Sequence, residues 1–191
     1  MAVYAWTGAS DATWTAGGNW SPSGPPGAGD VAIFVGRAAR ALTGNPAGSP
    51  QLLAIKHYMS CAFAVGTTAA PIAVCADNVE VGLPATDGSS GGGAQFHINT
   101  GTNAGSIFVV YNSPSTGTSG QDPVTIKTGT PSAGNHQLYV HGGVVGVATA
   151  APADAATIAT IGMTGGILNL GLGMVTGWSL TLSGTGNPKA Y

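Results

Sequence analysis

The chain has 191 residues, enough for about one domain with a continuous core, and only 6% of them are charged, where an ordinary soluble domain carries roughly 25%. Five Lys plus Arg against seven Asp plus Glu give a formal net charge of -2, which argues against a phosphate-tracking basic face and so against a direct DNA or RNA partner. A surface built from Thr, Ser, Ala and Gly in place of charges is cheap to desolvate, so the composition predicts a subunit of an assembly.

The first zone, Met1 to about Gly36, holds three of the four tryptophans, Trp6, Trp14 and Trp20. Its Gly/Pro/Ser stretch over 21–30 excludes a helix interior and leads into the apolar run Val31-Ala32-Ile33-Phe34-Val35, read as a strand. Met1 to Gly8 has neither the basic nor the apolar part of an export signal, and no apolar run spans a membrane, so neither Sec export nor a membrane partner is expected.

The second zone runs from Arg37 to about Gly82. Arg37 and Arg40 read as a solvated turn. Gln51 to Met59 is the one place where the sequence predicts a helical turn, and Ile72-Ala73-Val74 and Val79-Glu80-Val81 read as short strands. Cys61 and Cys75 sit among Ala, Phe and Val, which predicts buried free thiols; their spacing is not a zinc pattern.

The third zone, Gly91 to Tyr191, repeats short alternating segments closed by Gly, Asn, Pro or Ser. They are Gln95–Ile98, Ser106–Tyr111, Val124–Lys127, Gln137–His141, Thr157–Ile161, Ile167–Leu170 and Ser179–Leu182, each with the period of a half-buried strand. Phe96, Ile98, Val124, Ile126, Leu138, Val140, Leu168, Leu170, Leu180 and Leu182 are the predicted inward positions. Repetition at roughly 10 to 20 residues predicts an all-β chain, a right-handed parallel β-helix or solenoid. Residues 1–36 would form an irregular N-terminal cap and residues 37–191 the body of a single structural unit. A β-sandwich or jelly roll is the competing architecture, since many short strands with regular turns also suit it. The similar segments 164–171 and 178–186 read as successive rungs and favour the solenoid.

Candidate chemistry is sparse. Of His57, His97, His136 and His141, His97 and His141 fall on the outward phase of their strands, where stacked rungs would bring them together. No Cys, Asp or Glu lies at ligand spacing, so they read as surface or inter-subunit histidines and no metal or cofactor site is assigned. The acids Asp11, Asp30, Asp77, Glu80, Asp87, Asp122 and Asp154 mostly border Gly or Pro in turns. Asp77 and Glu80 are the only close pair, and with Val79 facing the core Glu80 faces solvent. Gly88 to Gly93 lacks the lysine and following helix of a phosphate loop, so it reads as a flexible loop. No catalytic residue is assigned.

Tyr4-Ala5-Trp6-Thr7-Gly8, Ala12-Thr13-Trp14, Gly18-Asn19-Trp20-Ser21 and Pro26-Gly27-Ala28-Gly29-Asp30-Val31-Ala32-Ile33-Phe34 together resemble a recurrent opening pattern. It is that of autotransporter-type β-strand repeat proteins and of phage virion proteins of the capsid decoration or head-fibre type. The match covers about the first 35 residues and implies the entrance of a β-helix. Independently of it, Trp6, Trp14 and Trp20 can cover the exposed end of a first rung while their indole N–H groups reach loop carbonyls. Asp30 would accept backbone N–H bonds in a turn. Stacking of the three indoles on a sugar is the functional alternative.

Bacterial proteins with this opening carry an export signal before it, and here the pattern starts at Met1. That implies either a virion subunit released by lysis or a chain whose signal has been removed. The leading expectation is a non-enzymatic bacteriophage capsid decoration or cement subunit, made in the host cytoplasm and placed on the outer capsid surface. Its expected partners are itself, as a homotrimer matching three-fold lattice points, and the major capsid protein. A head-fibre, tail-fibre or adhesin module binding host glycans is the alternative, and a polysaccharide-acting enzyme is a third reading.

Overall fold

The computed structural model describes residues 1–67, 69–84, 95–100, 104–112, 124–128, 133, 135–142, 144–149, 158–164, 167–170, 179–182 and 189–190. For 144, 146–149, 158–160 and the strands from 167 onward it describes the backbone course alone. Fifteen strands run through these residues: β1 (Val3–Trp6), β2 (Trp20–Ser21), β3 (Val31–Phe34), β4 (Gln51–Tyr58), β5 (Ile72–Ala73), β6 (Cys75–Leu83), β7 (Phe96–Asn99), β8 (Ile107–Val110), β9 (Val124–Thr128), β10 (His136–Val140), β11 (Val144–Thr149), β12 (Ile158–Met163), β13 (Ile167–Leu170), β14 (Ser179–Leu182) and β15 (Lys189–Ala190). A single 3-10 turn, Gly17–Asn19, is the only helical element among the described residues.

From β4 onward the chain alternates between two sheets. One has the order β14-β12-β10-β8-β6-β4-β3-β1-β2, the other β15-β13-β11-β9-β7-β5. Each strand from β6 on pairs in parallel with an earlier strand of its own sheet, after the chain has visited the opposite one. A chain that repeatedly crosses between two sheets and returns one strand higher is a β-solenoid. The expected fold class therefore holds. A sandwich built from antiparallel hairpins is overturned by the parallel pairing, and β2 against β1 is the one antiparallel pair among the described strands.

Register aligns the apolar side chains into ladders. Ala32, Ile55, Val79, Phe108, Leu138 and Ile161 stack rung upon rung in the first sheet, and all are fully buried. Phe96 and Val124 pair in the second sheet, as do Ile98 and Ile126, and these four are equally buried. Of the predicted inward positions, Phe96, Ile98, Val124, Ile126, Leu138 and Val140 thus point into the core, while the side chains of Leu168, Leu170, Leu180 and Leu182 lie outside the described residues. Two isolated parallel bridges, Leu42 to Val65 and Val65 to Phe96, prolong the second sheet's ladder toward the N-terminal end.

The helical turn expected at Gln51 to Met59 is instead the eight-residue strand β4. Gln, Leu, Ala and Lys are good helix formers, but β3 on one side and β6 on the other satisfy this segment's backbone in a ladder. The ladder also turns Leu52, Ile55 and His57 inward, and such non-local pairing overrides a weak local preference. Close rung-to-rung approach explains two glycines. Gly82 has φ +72°, and a Cβ there would collide with the Asn112 backbone. At Gly105 a Cβ would come within 2.6 Å of the Asn135 backbone nitrogen.

Candidate interaction surface

The tryptophan region is packed as a cap. Trp6, Trp14 and Trp20 are 2%, 1% and 3% exposed. Trp20 meets Trp6 edge-on at 5.1 Å and Trp14 at 4.7 Å between ring centres, and Phe34 continues the cluster into the core. Each indole N–H donates to a loop carbonyl, Trp6 to Arg40 at 2.9 Å, Trp14 to Pro26 at 3.3 Å and Trp20 to Trp14 at 2.8 Å. The cap expectation is met in burial and in hydrogen bonding, and rings this buried offer no face on which a sugar could stack.

Asn19 ties the cap together, a role that sequence reasoning missed although the residue belongs to the quoted Asn-Trp-Ser pattern. Its Oδ1 accepts the N–H groups of Ser10 and Asp11, and its Nδ2 donates to the Asp11 carboxylate and the Thr13 carbonyl. All four hydrogen-bonding positions of the amide are used. Asp30 accepts N–H bonds from Ala2 at 2.7 Å and Gly27 at 3.2 Å, as a turn aspartate should. These backbone donors hold its carboxyl below the usual carboxylate range. Asp11 is lowered likewise, chiefly by the Thr13 hydroxyl and N–H. Arg37 and Arg40 are exposed, and the Arg40 guanidinium also clamps the Gly8 and Ala9 carbonyls at 3.0 Å each.

The histidines differ from expectation. His97 does take the outward phase between Phe96 and Ile98, yet it is fully buried, and burial, with a smaller effect from Lys127, lowers its pKa to about 4. It is therefore not a surface histidine. His141 is exposed, lies parallel to Tyr111 at 5.6 Å and shares a 2.8 Å hydrogen bond with Thr164. Because His97 belongs to the second sheet and His141 follows β10 of the first, rung stacking does not join them. His57 is buried in line with Phe34 and Val81, its ring 5.2 Å from Phe96. His136 Nδ1 accepts the Ser106 N–H at 3.0 Å.

Cys61 and Cys75 are free and buried, as expected. Burial pushes the Cys61 thiol up to about 12, and Cys75 upward as well. Asp77 accepts a bond from Gln51 at 2.8 Å, and Glu80 pairs with Lys56 at 3.1 Å. Glu80 raises the Lys56 pKa by hydrogen bond and by charge. Asp87, Asp122, Asp154 and the Gly88 to Gly93 loop lie outside the described residues. Among the described residues, no group of three or more His, Cys, Asp or Glu is placed to hold a metal ion.

What stands out is the outer face of the first sheet. Residues paired in register share a side, so Val3, Val31, Ala54, Asn78, Ile107 and Gln137 form one column on the outer side, within which Val31 and Ala54 are themselves buried and Val3, Asn78 and Ile107 are exposed. Ala5, Ile33, Lys56, Glu80, Val109 and Tyr139 form the next. Val3 is 47% and Ile107 38% exposed, and Tyr111, 41% exposed, follows β8 on the same sheet. A shallow groove of about 380 Å³ runs beside the Lys56–Glu80 pair. On the outer side of the second sheet His97 and Thr125 are buried, while Ala73, Asn99 and Lys127 are half-buried.

No protein-family description, curated protein or solved structure matches this chain.

Proposed function

We propose that this protein is a structural subunit of a bacteriophage virion, a decoration or cement protein that reinforces the head lattice through non-covalent contacts. Its work is mechanical: it adds buried contact area across capsomer junctions, with itself and the major capsid protein as partners. The observation that carries this reading is the partly exposed, weakly charged outer face of a capped β-solenoid. Such a face loses little solvation when covered. A chain with 6% charged residues also lacks the charge density that keeps free proteins apart.

Mass spectrometry of purified particles tests the proposal through copy number. A cement protein is expected on the order of hundreds of copies, as lattice symmetry requires. Tens of copies would move the protein to a fibre, and absence from particles would refute the virion role.

A further inference from the structure

We propose that the outer face of the first sheet is a self-association surface, buried against the same face of a second copy across a two-fold axis. The axis would lie in the interface, parallel to the strands, between β4 and β6. Rotation about it reverses the order of rungs while keeping each position along the strand.

The pairings that follow are complementary in the Lys56 column, and in the neighbouring column Val31 faces Ile107, Ala54 faces Asn78 and Val3 faces Gln137. Lys56 meets Glu80 of the second copy, and the 3.1 Å pair within each chain becomes a four-charge network of zero net charge. Ile33 then faces Val109, and the small Ala5 faces the bulky Tyr139. A three-fold axis along the column would instead bring three Lys56 side chains to one level and three Glu80 to the next. Charge placement therefore favours the two-fold over the expected trimer.

Area permits the contact. Eight of the nine strands overlap about this axis, and at ~4.8 Å spacing and about 13 Å of strand length they give on the order of 500 Å² per copy, or about 1,000 Å² in total. That is about the lower bound for a specific interface. On the outer side of the second sheet His97 and Thr125 are buried, and the half-buried column Ala73, Asn99 and Lys127 places no acidic residue in register with its lysine, so the charge exchange open to Lys56 and Glu80 has no equivalent there among the described residues.

This inference goes beyond the virion reading and fails separately from it, because self-association is measured without any capsid. Sedimentation of the full chain should show a dimer forming at micromolar concentration. Ile107→Glu should weaken it at least about tenfold while leaving the circular dichroism spectrum unchanged. Lys56→Glu and Glu80→Lys should each weaken it, and the double exchange should restore it, because both the internal and the cross-copy pairs are re-formed. A chain that stays monomeric to about 100 μM, a trimer, or a dimer indifferent to Ile107→Glu and the single exchanges would overturn the proposal. A solution dimer absent from particles would support the surface and refute only the virion role.

Discussion

Trp20 shows how an aromatic residue in this fold is held at both ends. Its ring fills the space between Trp6, Trp14 and Phe34, and its N–H is satisfied by the Trp14 carbonyl. Trp20→Ala should therefore cost about 3–5 kcal/mol, read as a lowered denaturant midpoint. An unchanged midpoint would mean that the ring is not packed. His97 makes a pH prediction. Its pKa of about 4 in the fold lies below the unfolded value near 6.5, so the unfolded chain takes up its proton first as pH falls. The stability contribution is whole above pH ~6.5 and is lost between there and about 4, on the order of 3 kcal/mol in all. Urea titrations from pH 7 to 4.5 should show this decline, and His97→Gln should flatten it. Asp30 and Asp11, held low by their donors, add a further loss only as pH drops through the carboxylate range.

Among the elements, β4 and β6 set the geometry of the open face. β6 can end beside β8 because Gly82 adopts φ +72° against the Asn112 backbone. Gly82→Ala should destabilise by more than about 1 kcal/mol, since it meets both a left-handed backbone and a collision that only main-chain movement can relieve. A thermal midpoint equal to that of the unsubstituted chain would show that the corner adjusts freely. Strands β3, β7, β8, β9 and β10 were legible in the sequence because each alternates in and out between turn residues. Two were not. β4 has the composition of a helix and becomes a strand through its two neighbours, and β11 was missed because Gly142, Gly143 and Gly146 mask its Val-rich alternation.

For the whole molecule, the proposed virion role predicts attachment to the capsid lattice that survives added salt. Added to expanded phage heads, the protein should bind saturably and hold on from ~50 to ~500 mM salt, because apolar and backbone contacts are little affected by screening. Release over that range would indicate attachment dominated by exposed charge.

The sequence by itself determined the class of fold, the tryptophan cap, the turn role of Asp30 and the burial of both cysteines, because these depend on local periodicity and on the cost of leaving large apolar groups in water. Only the tertiary structure decided that His97 is covered, that Gln51 to Tyr58 extends, and that Lys56 and Glu80, distant in sequence, become neighbours on one open face. Those outcomes depend on which rung lies above which, and the register of a parallel ladder is set by contacts between segments that the chain's local pattern does not encode.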